Sequence, residues 1–127
     1  MARPIADEGD MEPTIPGVNL LAQLLDASSL RHRVIAQNVA NVNTPGYQRQ
    51  VVTFETDLAK ALATPQAETP ALKPRVETAE GPARGDGNTV DIDREMNDLS
   101  RNALVYQAAA QIIASRVAAM RSAISGR

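Results

Sequence analysis

Residues 91–126 read DIDREMNDLSRNALVYQAAAQIIASRVAAMRSAISG, and this stretch decides the fold. Apolar side chains fall at Ile92, Met96, Leu99, Ala103, Tyr106, Ala110, Ile113, Val117, Met120 and Ile124, in steps that alternate four and three without a miss. A seam kept up for that length predicts one long helix that packs in the manner of a coiled coil. Its ends are signalled as well. Asp91 suits the N-cap, Asp93 and Glu95 suit the first turn, and Arg116 and Arg121 lie toward the far end, an order of charge that complements the helix dipole. Gly126 supplies a stop. At 1.5 Å per residue such a helix is roughly 50 Å long, more than this chain covers by itself.

Working outward, residues 18–42 predict a second helix with a less regular pattern. Leu21, Leu25, Ile35, Val39 and Val42 make one stripe, which Ser28 and His32 interrupt, while Leu20, Leu24, Leu30 and Val34 point elsewhere. The long helix has the same surplus, with Leu104, Val105, Ala108 and Ile112 off its main seam. Its alanines, among them Ala109, Ala114, Ala118 and Ala119, let another backbone approach closely. A helix apolar on more than one face has more than one neighbour, and a two-helix hairpin buries one seam per helix. The remaining faces need other chains. The expected architecture is mainly α: two long terminal helices packing as a coiled-coil-like hairpin, with a short extended segment and a flexible linker between them. A monomeric bundle closed by its linker is the alternative, but the linker has almost nothing apolar to contribute.

The other segments follow from composition. Residues 1–17 are polar and proline-rich and read as disordered. Residues 43–63 read as a turn and a short extended segment. Within it, Thr44 before a proline is pushed toward extended geometry, Pro45-Gly46 suits the centre of a type II turn, and Val51, Thr53 and Phe54 favour a strand. Asn38 and Asn41 are read as residues that tolerate the left-handed conformation ending a helix. Residues 64–89 hold Pro65, Pro70, Pro74, Pro82, Gly81, Gly85 and Gly87, which is linker composition. Residues 90–127 carry the long helix.

Several classes of function are excluded. The aromatic residues are Phe54, Tyr47 and Tyr106, with no Trp, too few rings for a self-sufficient core in so short a chain. A net charge of −2 speaks against nucleic acid as a partner. No run of apolar residues reaches the roughly 18 of a membrane span. Residues 1–17 lack the apolar stretch of a signal peptide, which read alone suggests the cytoplasm. There is no cysteine and one histidine, His32, so Cys–His chemistry and a multi-histidine metal site are out. His32 sits seven residues from both Leu25 and Val39 and reads as a seam-edge or interface residue, with Arg31 and Arg33 as a solvated or interface edge. Asp91, Asp93 and Glu95 do not make a calcium loop, because Met96 stands where glycine is needed and Asn102 where a glutamate is needed. Gly81, Gly85 and Gly87 follow no strand and precede no Gly-Lys-Ser/Thr, so they do not cradle a phosphate. The expectation is a protein with no enzymatic activity, no cofactor, no metal and no small-molecule substrate.

The run Asn38-Val39-Ala40-Asn41 followed by Thr44-Pro45-Gly46-Tyr47 resembles the N-terminal signature of flagellar axial proteins, the rod, hook and hook-associated subunits. The run from Gly87 through Met96, continuing to Asn102, Tyr106-Gln107 and Met120-Arg121, is similar to the flagellar basal-body rod proteins in particular. Residues 1–17 are longer than is usual there, and 64–89 leave room for at most a minimal outer domain. The resemblance implies a subunit of the proximal rod, a helical drive shaft, exported unfolded through the flagellar type III apparatus to a periplasmic location. It further implies contact with copies of itself, other rod proteins, and the adaptor joining the rod to the membrane ring. The expected assembly interface comprises Leu21, Leu25, Ile35 and Val39 on the first helix and Asn38, Asn41, Thr44, Pro45, Gly46 and Tyr47 around the turn. On the second helix it comprises Met96, Leu99, Tyr106, Ile113, Val117, Met120 and Ile124, with Ile113→Asp expected to abolish assembly. The competing reading is a cytoplasmic helical adaptor or export chaperone, which stays inside the cell in small defined complexes.

Overall fold

The computed structural model of the chain describes residues 17–63 and 71–126. Three helices and two strands follow in the order α1 (Val18–Ala40), β1 (Gln50–Thr53), α2 (Glu55–Ala63), β2 (Arg75–Thr78) and α3 (Ile92–Ser125). Asp91 caps α3 as its sequence suggests: its Oδ1 accepts from the Asp93 N–H at 3.0 Å and the Arg94 N–H at 3.4 Å. Gly126 closes the helix in the left-handed conformation. The turn after α1 is also as expected. Tyr47 N–H donates to the Thr44 carbonyl at 3.2 Å, and Gly46 holds φ +73, the value that favours glycine at the third position of a type II turn. Asn38 and Asn41 differ from expectation, since among the described residues no non-glycine residue has positive φ. Asn41 ends α1 with φ −103, and its side chain donates to the Gln37 carbonyl at 2.8 Å, so the helix stops through side-chain hydrogen bonds.

Two long helices packed side by side dominate the architecture. Asn38 of α1 meets Glu95 of α3, the Ser28 carbonyl meets Asn102, and Gly17 lies beneath Arg116, so α1 and α3 run antiparallel. The buried apolar side chains are few: Ala27, Val34 and Ile35 on α1, Val52 and Phe54 on and after β1, Val90, and Ala109 on α3. Phe54, the largest of them, sits between the end of β1 and the start of α2. That hairpin is antiparallel, Gln50 opposite Thr78 through Thr53 opposite Arg75.

Two stretches read as irregular carry structure. Within 43–63 the extended segment ends at Thr53 and residues 55–63 form α2, where Glu55 and Asp57 suit a first turn and Lys60 a last one. Within 64–89, residues 71–89 supply β2 and a loop tied to α1 and the turn, so that part is not a free linker. Prolines at 74 and 82 bracket the strand instead of preventing it, because an edge strand tolerates proline at its ends. The expectations for residues 1–16 and 64–70 lie outside the described residues.

No apolar run approaches a membrane span in length, yet by length and average composition an 18-residue window of α3 is apolar enough to cross one. Alanine explains it: no single run is strongly apolar, but Ala108–Ala110, Ile112–Ala114 and Val117–Met120 together raise the average. Only 6% of that window is buried within the chain, leaving a long apolar surface uncovered.

Candidate functional site

A polar junction fixes the turn end of the hairpin. Glu95 is fully buried in the first turn of α3, and Arg49, just before β1, donates to it from Nε. Arg49 also donates from Nη2 to Asp98 at 2.7 Å. The Asn38 amide donates to Glu95 Oε2 at 3.1 Å and to the Gln50 carbonyl at 2.7 Å, while its oxygen accepts the Gln50 N–H at 3.0 Å. One asparagine thus joins α1, β1 and α3. Tyr47 donates its hydroxyl to the same Asn38 oxygen at 3.4 Å. Burial first, and the neighbouring Glu95 charge second, raise the Tyr47 pKa above the ordinary value of 10.0. A second buried asparagine, Asn88, donates to the carbonyls of Asn41 at 2.8 Å, Val42 at 3.1 Å and Thr44 at 2.8 Å, holding the turn against the loop leading into α3.

Away from the junction, α3 is mostly open. Its fully buried positions are Glu95, Asn102 and Ala109, seven residues apart, so the inward line in the first half is largely polar. The regular apolar seam lies to one side of that line. Along that seam Leu99, Ile113, Val117 and Met120 are half-buried, while Met96 and Tyr106 are exposed. On the opposite flank Leu104 (67% exposed), Val105 and Ile112 are also uncovered, and Ile124 is 80% exposed near the end. Beside Tyr106 a groove of about 350 Å³ runs between the helices, lined among others by Ser28, His32, Asn102 and Ala103.

The expected interface residues thus divide in three. Ile35 and Asn38 are interior to the hairpin, while Leu21, Leu25, Val39, Leu99, Ile113, Val117 and Met120 are half-buried. Thr44, Pro45, Gly46, Met96, Tyr106 and Ile124 are exposed, and Asn41 and Tyr47 are intermediate. His32 is exposed on the groove. Ser28, read as an interruption, is buried where α1 meets Asn102. Glu95, read as a helix-dipole charge, is a buried ion-pair partner. Arg49 and Asn88 are polar hubs that the local sequence pattern does not mark. The available signal was Glu95 falling seven residues before Asn102, on the line that faces α1. Among the described residues no cluster of His, Cys, Asp and Glu is arranged to hold a metal.

A family model described as "Flagella basal body rod protein" matches residues 25–48, which span α1 from Leu25 to its end and the turn after it. The flagellar basal body rod protein FlgB of Borrelia hermsii is 37% identical over 109 residues, covering 70% of this chain and 81% of that protein. The FlgB of Aeromonas hydrophila is 31% identical over 116 residues, covering 80% and 87%, and that of Salmonella typhimurium 28% over 124 residues, covering 82% and 89%. The chain belongs to the flagellar basal body rod protein family. It is a structural component of the flagellar basal body rod, and within the family its likeness is to the FlgB subunits. The family is one of structural rod proteins and not an enzyme family, and its members share the basal body with other rod proteins.

Proposed function

We propose that this chain is a subunit of the proximal rod that docks through the uncovered faces of α3. One observation carries the reading: α1 covers a single line along α3 and leaves Met96 and Tyr106 on one flank and Leu104 and Ile112 on the other. Two apolar flanks on one stiff helix suit a lateral neighbour on each side, and a head-to-tail contact of that kind propagates as a helical tube. Such a tube transmits torque between the membrane ring and the hook, because long helices packed side by side resist shear. The neighbours are copies of this chain, other rod proteins and the adaptor between rod and membrane ring. The chain reaches them unfolded, through the flagellar type III apparatus. A core of few large apolar side chains suits that route, and the cost of ordering the chain is offset by burial against its neighbours.

The first test is a tagged copy followed through fractionation and imaging of purified hook–basal bodies. Label in the rod just above the membrane ring is the expected result. Label confined to the cytosol in small complexes would replace this reading with the cytoplasmic adaptor. Substitution at the seam is a poor second test, since Ile113 is half-buried within the hairpin and Ile113→Asp also disturbs the fold. Leu104→Asp separates the two effects. It leaves the helical content of the free subunit unchanged and abolishes motility, because a charge buried unpaired at an interface is strongly unfavourable.

A further inference from the structure

The flank of α3 that carries Ile112 changes character along its length. Arg94, Asp98, Arg101, Val105, Ala108 and Ile112 recur in steps of four and three, so they form one stripe. Its first half is charged and its second half apolar. The charged half borders a groove of about 400 Å³ between α3, α1 and β1, whose apolar wall includes Val34, Ile35 and Val52. Four arginines line this groove. Arg31 is engaged with Glu55 at 2.6 Å, and Arg49 with Glu95 and Asp98. Arg94 and Arg101 are exposed, and among the described residues neither side chain has an ion pair or hydrogen bond. Asp98 lies between them along the stripe but is turned to Arg49 at 2.7 Å. Two guanidinium groups thus stand open on residues two helical turns apart, about 11 Å.

We infer that this stripe receives a helix of a different polypeptide, one with two carboxylates two turns apart followed on the same face by apolar side chains. The carboxylates meet Arg94 and Arg101, each guanidinium donating paired N–H bonds to one of them. The apolar side chains cover Val105 and Ile112, both exposed in the free chain. The spacing is that of a helix laid alongside, since two turns of one match two turns of the other. A second copy offering its opposite flank does not fit, because Ile92, Met96, Leu99 and Ala103 bring no carboxylate. Both guanidinium groups would lose water without gaining a counter-charge, which is strongly unfavourable. The inference rests on the rod reading above only in placing this partner among the neighbours within the rod.

The probe is a synthetic amphipathic helix of about 25 residues, long enough to span the stripe, with two glutamates two turns apart and leucines beyond them on the same face. Its counterpart carries glutamine in place of each glutamate. Binding of each labelled peptide to the full-length chain is read by fluorescence anisotropy at low salt. The glutamate peptide is expected to bind about tenfold more tightly, and about 1 M salt to erase the difference. Arg94→Gln/Arg101→Gln is expected to remove that preference and leave the circular dichroism of the chain unchanged, because neither side chain is tied into the fold. Equal binding of the two peptides, or a preference that survives in the double variant, overturns the site. Sedimentation velocity tests the second copy: if Arg94→Gln/Arg101→Gln weakens self-association, the flank belongs to another copy of this chain and the inference falls. A chain found in the rod but without the peptide preference loses this site and keeps the rod reading. The preference in a chain absent from the rod does the reverse.

Discussion

Replacing Arg49 by methionine tests the junction most directly. Arg49 and Glu95 are both buried, so the substitution strands a carboxylate whose remaining donor is the Asn38 amide at 3.1 Å. Breaking one partner out of a buried pair costs about 3–5 kcal/mol, against a total of roughly 5–15 kcal/mol for a whole domain. The double variant Arg49→Met/Glu95→Leu removes the charge as well. Asn38 then keeps the Gln50 carbonyl at 2.7 Å but loses an acceptor for its second amide hydrogen, which costs about 1–3 kcal/mol. The double variant is therefore expected to regain about 2 kcal/mol over the single one. Urea unfolding of the free subunit, followed by circular dichroism at 222 nm, reads both values. If Arg49→Met costs less than about 1 kcal/mol, as an exposed pair would, or if the double variant is no more stable than the single, the junction is not the fixture described.

Further expectations concern the turn and its surroundings. Asn88→Ala removes two amide hydrogens shared among three turn carbonyls and the oxygen that accepts the Val90 N–H at 2.8 Å, and at about 1 kcal/mol for each of these three groups the loss is near 3 kcal/mol, visible in the same unfolding curves. Gly46→Ala meets no atom within 4 Å, so its cost is conformational only, about 1–2 kcal/mol for a left-handed residue. A larger loss would mean that a neighbour unseen in the monomer packs there. Tyr47 ionises at a higher pH in the folded chain than in the unfolded one. Its contribution is thus complete below about pH 10 and is lost as pH rises through the folded value. Stability measured between about pH 9 and pH 11 should fall more steeply in the parent than in Tyr47→Phe.

The helices were legible because their signals are local. Asp91 caps what it precedes, Gly46 permits one turn type, and the four-three seam marks α3 whatever it packs against. The inward face of α3 was not legible, for a physical reason. Apolar periodicity says which face avoids water and nothing about which neighbour covers it, and here the tidiest seam is only partly turned toward α1. The junction is the converse case. Glu95 looks like a helix-dipole charge until Arg49, 46 residues earlier, is brought beside it by the turn between them. Residues 71–89 were misjudged because proline content was weighed above the alternation of Val76 with Arg75 and Glu77, and because the grip of Asn88 on the turn is a long-range contact.

The bonds that close the hairpin join residues far apart along the chain: 57 positions separate Asn38 from Glu95, and 74 separate Ser28 from Asn102. Closing a loop of that size costs roughly 4 kcal/mol in chain entropy, repaid only once both sides are present. Whichever end of the polypeptide emerges first from a narrow conduit, its half of each bond has nothing to meet until the distant half has followed. On the export route proposed above, the hairpin closes only after both halves have passed, so the timing of folding is written into the spacing of these residues.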